Sequence, residues 1–125
     1  MSDMLFGDTI TLLEKSLSLR MARQNLLAAN IANAETPGYR AVDLDFESAL
    51  QEMVRLQQSG QPATAAGAVG APIIAADGEN PGPDGNTVQV EVELSKASRN
   101  ELMFNLQAQI LGMKLRQIRE SIQTP

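Results

Sequence analysis

The chain has 125 residues, only 3% of them aromatic, a net charge of −5, and no cysteine, histidine or tryptophan. This length fits one small domain, and the missing cysteines exclude a disulfide framework or a thiolate site. The missing histidines remove the usual neutral-pH base and the commonest metal ligand, and the acidic balance without a Lys/Arg run argues against nucleic acid as a partner. No apolar run approaches the ~20 residues that a membrane-spanning helix needs.

The first predicted element is a helix over residues 8–35, preceded by a flexible lead at 1–7. Asp8 or Thr9 is suited to cap its start. Apolar residues at helical spacing form a broad stripe: Ile10, Leu13, Leu17, Met21, Ala28, Ile31 and Ala32. A narrow second stripe on the opposite side contains Leu12, Leu19 and Leu26, and its alternative explanation is three half-exposed surface leucines.

A turn follows this helix. Pro37 disfavours helical geometry at Thr36, so the helix should end near residues 34–35. Pro-Gly suits the centre of a type II turn, in which Gly38 adopts a positive φ. The two asparagines before it lie on neighbouring parts of one helix surface, where their amides suit carbonyls freed at the helix end or another backbone. The turn residues singled out are Asn30, Asn33, Thr36, Pro37, Gly38 and Tyr39.

Residues 36–58 are predicted to contain the turn, an extended segment from residue 40 and a short helix over 46–58. Residues 59–86 are rich in Gly, Pro and Ala, a composition that buries too little apolar surface to offset its ordering entropy. We predict a flexible insertion there, with one short extended piece at 72–75.

The last element, over residues 87–125, has two possible interpretations. Its beginning alternates like a β-strand, but a helical register of ten positions, nine of them apolar, runs through it without a break. These positions are Val90, Leu94, Ala97, Glu101, Phe104, Ala108, Leu111, Leu115, Ile118 and Ile122. We therefore predict a helix that starts near Gln89 and is about 50 Å long.

A second apolar stripe on this helix comprises Met103, Leu106, Ile110 and Met113. The first helix can cover one stripe as an antiparallel hairpin, and nothing else in the chain is long or apolar enough to cover the other. The alternative is an internal arrangement with residues 46–54 on the second stripe. The residues assigned to packing and assembly are Leu13, Leu17, Leu26, Ile31, Phe104, Leu106, Ile110, Leu111, Met113, Leu115 and Ile118.

Candidate chemical sites are weak. Asp43, Asp45 and Glu47 alternate as cation ligands might, but they lack the glycine and the closing glutamate of a calcium loop. Glu91 and Glu93 point about 200° apart on a helix and cannot share a substrate. No catalytic, cofactor-binding or metal-binding residue is assigned, and the protein is not expected to be an enzyme.

The run from Asn30 to Tyr39, Asn-Ile-Ala-Asn-Ala-Glu-Thr-Pro-Gly-Tyr, resembles the signature of the bacterial flagellar axial proteins, which are rod, hook and hook-junction subunits. The longer stretch at 26–46 is most similar to the proximal rod type. Residues 88–104 resemble the start of that type's C-terminal helix, although Gln89 replaces a usual acidic residue and Phe104 a frequent Tyr.

The resemblance implies a structural subunit without a cofactor or catalysis, which assembles through its terminal helices into a tubular shaft that transmits torque and surrounds the export channel. Implied partners are copies of itself, other rod subunits, and the membrane-ring adaptor and export-gate proteins at the rod base. The implied location is the periplasmic rod of the basal body, reached without a cleaved signal peptide. The alternatives are another rod subunit type and a soluble helical-hairpin adaptor or secretion chaperone with one partner.

The expected fold is therefore mainly α. Long N- and C-terminal helices are expected to pack as an antiparallel coiled-coil hairpin, with an extended and short-helical segment and a flexible Gly/Pro/Ala-rich insertion between them.

Overall fold

A computed structural model describes residues 2–60, 73–76 and 80–123, with side chains from residue 7 onward. These residues form three helices, α1 (Ser2–Ala32), α2 (Phe46–Gln58) and α3 (Val90–Gln123), and two strands, β1 (Val42–Leu44) and β2 (Ile73–Ala75). The prediction of a mainly helical protein with long first and last helices is confirmed. With 31 and 34 residues, α1 and α3 are about 46 and 51 Å long.

Helix α1 begins at Ser2, six residues before the predicted start at Asp8. Gly7 lies inside the helix, and its carbonyl accepts a hydrogen bond from the Thr11 hydroxyl at 3.0 Å. A single glycine costs a helix about 1 kcal/mol relative to alanine, which is too little to end a long one. The helix ends at Ala32, two to three residues before the predicted end near residues 34–35, and a turn over residues 33–35 follows it.

Helix α2 has the predicted bounds and packs on α1. The Asp45 carboxylate caps its start by accepting from the Ser48 backbone N–H at 3.2 Å. On α1, Leu19 is 8% exposed and forms a small core with Ala49 and Met53 of α2. Leu12 packs against this core, so α2 covers part of the narrow second stripe of α1, in which Leu19 is buried and Leu12 and Leu26 are half-buried.

Strands β1 and β2 form a two-stranded antiparallel sheet in which Asp43 is opposite Ile74. Strand β2 coincides with the extended piece predicted within the insertion. Most of the remaining insertion, residues 61–72 and 77–79, lies outside the described residues.

Helix α3 begins at Val90, so the helical interpretation of this stretch is the correct one. It packs lengthwise on α1: side chains early in α3 contact α1 near its end, and those later in α3 contact α1 progressively nearer its start. The two helices therefore run in opposite directions along this contact.

Candidate functional site

The turn after α1 has the predicted geometry. The Tyr39 backbone N–H donates to the Thr36 carbonyl at 3.2 Å, and Gly38 has a φ of +73°. The Asn33 amide donates to the Ala29 carbonyl at 2.8 Å, and the Thr36 hydroxyl donates to the Asn33 side-chain oxygen at 3.1 Å. The Ala29 carbonyl also accepts from the Asn33 backbone N–H at 3.0 Å, so the Asn33 amide adds a second donor to a carbonyl in the last turn of α1 and does not fill a carbonyl freed at the helix end.

A segment just before α3 clamps this turn. The Gly38 N–H donates to the Asp84 carbonyl, and the Thr87 N–H donates to the Tyr39 carbonyl, both at 2.9 Å. The Thr87 hydroxyl also accepts from the Ala41 N–H at 2.8 Å. The path of the chain after the turn is thus fixed by residues almost fifty positions later.

Asn86 caps the C-terminal end of α1. Its side-chain amide is within 2.7–3.0 Å of the carbonyls of Asn33, Ala34 and Thr36. Carbonyls at a helix end lack helical partners and carry the negative end of the dipole, so an amide donor is well suited to them. Asn86 is 7% exposed. The predicted flexible insertion, residues 59–86, therefore includes at its end a residue that is buried and hydrogen-bonded.

Sequence reasoning missed Asp84, Asn86 and Thr87. A signal was present, because Pro83-Asp84-Gly85 is a turn sequence with a physical basis. In the structure the Gly85 N–H donates to the Gly82 carbonyl at 2.9 Å, and Gly85 has a φ of +79°. The contact of this turn with the end of α1 was not visible in the sequence.

Asn30 is fully buried, and both the NH₂ group and the oxygen of its side-chain amide are hydrogen-bonded. The NH₂ group donates to the Val42 carbonyl at 2.7 Å and to Glu93 Oε2 at 2.8 Å. The amide oxygen accepts from the Val42 N–H at 3.1 Å and from the Tyr39 hydroxyl at 3.3 Å. Asn30 therefore occupies the free edge of β1 and joins it to the turn and to α3.

Through Glu93, Asn30 is joined to a cluster of four charged side chains. Arg23 binds both carboxylate oxygens of Asp43 at 2.9 Å. Lys96 Nζ lies 3.8 Å from Asp43 Oδ2 and 3.7 Å from Glu93 Oε1. The second distance is within ion-pair range but too long for a hydrogen bond, so Glu93 Oε1 is a buried oxygen without a hydrogen-bond donor among the described residues. Two acids and two bases leave the cluster formally neutral.

The pKa of Asp43 is lowered in this cluster. Burial acts to raise the pKa, but the hydrogen bonds and charge of Arg23, the Leu44 N–H and the charge of Lys96 together outweigh it. The carboxylate is therefore stabilised in its charged form at neutral pH.

A row of polar residues continues between α1 and α3. Asn100 is 1% exposed, and its amide donates to the Arg20 carbonyl and to Gln24 Oε1, both at 2.8 Å. Gln107 accepts from Arg20 Nε at 2.7 Å and donates to the Ser16 hydroxyl at 3.0 Å. On α3, the members Glu93, Asn100 and Gln107 are spaced by seven residues, and we call them the polar row.

Arg20 connects this row to α2. Its guanidinium carbon lies 4.3 Å from the centre of the Phe46 ring, in the geometry of a cation–π contact. Burial, followed by the charge of Arg23, lowers the pKa of Arg20 from its ordinary value, and arginine remains charged at neutral pH.

The polar row changes the expected packing of α3. We expected α1 to cover one apolar stripe of α3 and to leave the other bare, but the most buried line of α3 is polar and lies between the two stripes. Each stripe is therefore only partly covered. Of the predicted packing residues, seven are half-buried: Leu13, Leu17, Leu26, Ile31, Phe104, Leu111 and Ile118. The other four, Leu106, Ile110, Met113 and Leu115, are 37–52% exposed.

The contacts of α2 also exclude the alternative in which residues 46–54 cover the second apolar stripe of α3. Its core lies against Leu19 on α1, and the second α3 stripe, with Leu106 at 48% and Met113 at 52% exposure, is not covered by it. The apolar surface of α3 therefore exceeds what the described residues of one chain cover.

The acidic residues considered as cation ligands have other partners. Asp43 binds Arg23 and Asp45 caps α2. In the described parts of the chain, no cluster of three or more His, Cys, Asp or Glu side chains has the arrangement of a metal site. Nor does any helix there combine the length and apolarity needed to cross a bilayer.

Comparison with known proteins identifies the family. Residues 14–40, from the middle of α1 through the turn, match the family described as flagella basal body rod protein. Flagellar basal body rod protein FlgB of Salmonella typhimurium is 36% identical over 116 residues, covering 82% of this chain and 84% of that protein. FlgB of Escherichia coli is 36% identical, covering 80% and 86%, and FlgB of Cereibacter sphaeroides is 33% identical, covering 88% and 90%.

These matches favour a rod subunit over the adaptor or chaperone alternative. They extend over both long helices and include the signature turn that Asn30 and Asn86 hold in place. The chain belongs to the FlgB family of flagellar basal body rod proteins, the structural subunits of the rod in the bacterial flagellar basal body.

Proposed function

We propose that α1 and α3 act as an antiparallel coiled-coil hairpin and form one element of the rod wall. In this proposal the hairpin is the unit that packs with neighbours, so that the assembled helices surround the export channel and transmit torque. The observation that carries it is the surplus apolar surface of α3, together with the relationship to FlgB. Exposed residues such as Leu94 at 51%, Leu102 at 67% and Leu115 at 49% are costly to leave in water, because each fully buried side chain of this size gains roughly 1.5–3 kcal/mol.

Torque transmission requires a hairpin that does not slip, and the polar contacts supply that property. Shifting α3 along α1 would separate Asn30 from Glu93 and Asn100 from Gln24. Each broken contact would leave a buried polar group without a partner, at a cost of about 1–3 kcal/mol. The signature turn has a related role in this proposal, because its clamp fixes how α1 passes into the segment that carries α2.

The proposed partners are copies of the chain, other rod subunits, and the membrane-ring adaptor and export-gate proteins at the rod base. The proposed location is the periplasmic part of the basal body, reached by export without a cleaved signal peptide. Both proposals rest on the family resemblance, since the contacts within one chain do not distinguish among these neighbours.

Complementation of a strain that lacks its own FlgB tests this function. An epitope-tagged chain should restore swimming and co-purify with basal bodies. Leu111→Asp places a charge among half-buried packing residues and should abolish both, whereas Gln51→Asp, an exposed position on α2, should retain both. A tagged chain that restores no swimming and stays in the cytosol would contradict the proposal, as would normal rods built from the Leu111→Asp variant.

A further inference from the structure

An open groove of about 360 Å³ runs along one side of the α1–α3 contact. The six residues that line it are Arg20, Met21, Gln24, Asn100, Glu101 and Phe104. Met21 is 58% exposed on one wall and Phe104 is half-buried on the other. The polar groups at its base already bond one another, as with the Asn100 amide and the Gln24 side-chain oxygen. The groove therefore offers apolar walls and few unused polar groups, which suits an apolar side chain better than a polar small molecule.

The groove has an acidic lip. Glu101 is exposed at its α3 edge, and Glu14 is exposed two turns before Met21 on the same side of α1. Neither carboxylate belongs to a salt bridge among the described residues. A partner segment with an apolar centre and basic flanks would therefore complement this groove.

Another face of α3 has those properties. Leu102, Leu106 and Met113 are 67%, 48% and 52% exposed. They are spaced by four and seven residues, so they form one apolar ridge. Arg99 and Arg116 are exposed beside it, and neither is in a salt bridge among the described residues. At about 100° per residue, the ridge is turned roughly 120° around α3 from Glu101, so groove and ridge are separate surfaces.

We propose that the groove of one copy of this chain binds the ridge of the next copy. The occupant is a second copy because the ridge matches the groove in charge and in apolar character, and because the described residues of one chain leave both surfaces open. Groove and ridge differ and face different directions, so the contact is head-to-tail and propagates along an assembly instead of closing a two-fold dimer. This inference rests on the proposed function, since it specifies which surfaces join neighbouring copies of a rod subunit.

Cysteine cross-linking tests the pairing directly, because the chain has no cysteine of its own. Glu101→Cys and Arg116→Cys, each with a different tag, are co-expressed in the complemented strain, and disulfides are formed in assembled basal bodies. A dimer that carries both tags should be at least about fivefold more abundant than either same-tag dimer. The matched control replaces Arg116→Cys by Glu47→Cys, an exposed position on α2, and should give no mixed dimer above background.

The outcomes separate the two proposals. Swimming cells that contain only same-tag Glu101→Cys dimers would show a groove-to-groove contact and overturn the inference while the rod function stands. Swimming cells whose groove cysteine cross-links to another rod protein, or to nothing, would also overturn it. Failure of both variants and of the unaltered chain to enter basal bodies would instead overturn the proposed function, and the inference with it.

Charge reversal gives a second test that does not depend on disulfide geometry. Glu101→Arg and Arg116→Glu should each reduce the swimming-halo diameter, because each opposes like charges at every copy-to-copy contact. The double variant restores opposite charges and should recover most of the unaltered diameter, whereas Glu47→Arg should have no effect. A double variant that swims no better than the poorer single variant would contradict the proposed contact.

Discussion

The side chains of Asn30 and Glu93 are in contact, although 63 residues separate them in sequence. The Asn30 amide lies 2.8 Å from Glu93 Oε2, and both side chains are fully buried. Asn30 belongs to the signature that identifies the family, and Glu93 lies in the first turn of α3. Their contact joins the two long helices at the point where the chain turns away from α1. The signature therefore does more than end a helix, because it forms the base of the hairpin.

Asn30→Ala should destabilise the chain strongly. The substitution removes the amide that donates to the Val42 carbonyl and to Glu93 and that accepts from the Val42 N–H and the Tyr39 hydroxyl. The Glu93 carboxylate then stays buried with Lys96 as its remaining partner. We expect a loss of about 2–4 kcal/mol in the free energy of unfolding, from urea titration followed by far-UV circular dichroism. Asn25→Ala, at an exposed asparagine of α1, is the control and should change stability by less than about 0.5 kcal/mol. Equal effects of the two substitutions would show that the Asn30 contacts do not hold the hairpin.

Acid should weaken the cluster around Asp43. Its pKa in the folded chain is below the ordinary value of 3.8, with burial opposed by the stronger combined effect of Arg23, the Leu44 N–H and Lys96. A lowered folded pKa contributes stability above the unfolded pKa, and that contribution is lost as the pH falls through the folded value. Asp43→Asn should therefore be less stable than the unaltered chain near pH 7, by about 1–3 kcal/mol. The difference should shrink below about pH 3.8, and a difference that stays constant into acid would exclude this source of stability.

Two glycines provide a matched test of the turn. An added Cβ would meet no atom within 4 Å at Gly38 or at Gly112, but only Gly38 has a positive φ, of +73°. Gly38→Ala should cost about 1–2 kcal/mol, because a left-handed conformation is strained for a residue with a Cβ atom. Gly112→Ala lies inside α3 and should stabilise the isolated chain by about 0.5–1 kcal/mol. Thermal unfolding of both variants measures the two effects, and the expectation fails if they have the same sign.

Local features of the fold were predictable because their causes lie within a few residues. The Pro37-Gly38 turn depends on two adjacent residues, and α2 follows from an apolar face that repeats every three or four residues. The helical start of α3 was also recoverable, although Val88–Leu94 alternates like a strand, because a register sustained over many turns outweighs local β propensity.

Features that depend on distant partners were not predictable. Asn86 was placed in a flexible insertion by its composition, yet its amide finds three carbonyls at the end of α1. Asn100 and Gln107 lie between two apolar stripes of α3, where a polar side chain ordinarily faces water. Amphipathic patterns indicate which residues avoid water, but a polar side chain with a matching partner on another helix leaves no periodic signal of its burial.

The polar row should set the register of the hairpin more than its stability. Replacing Asn100 and Gln107 together by Leu removes the bonds to Gln24 and Ser16 and joins the two apolar stripes of α3 into one continuous surface. The two leucines gain roughly 1.5–3 kcal/mol each by burial, which offsets the loss of about 1–3 kcal/mol when a polar partner such as Ser16 or Gln24 is left without its bond. Polar residues at such positions instead specify register and partner number. We therefore expect the double variant to keep its helix content and thermal midpoint, but to sediment as several species that differ in size from the unaltered chain. Gln51→Leu, at an exposed position of α2, adds apolar surface without touching the row and should sediment as the unaltered chain does. If the double variant instead loses its helix content, or sediments as the unaltered chain does, the row contributes stability and not register, and the apolar flanks alone align α1 with α3.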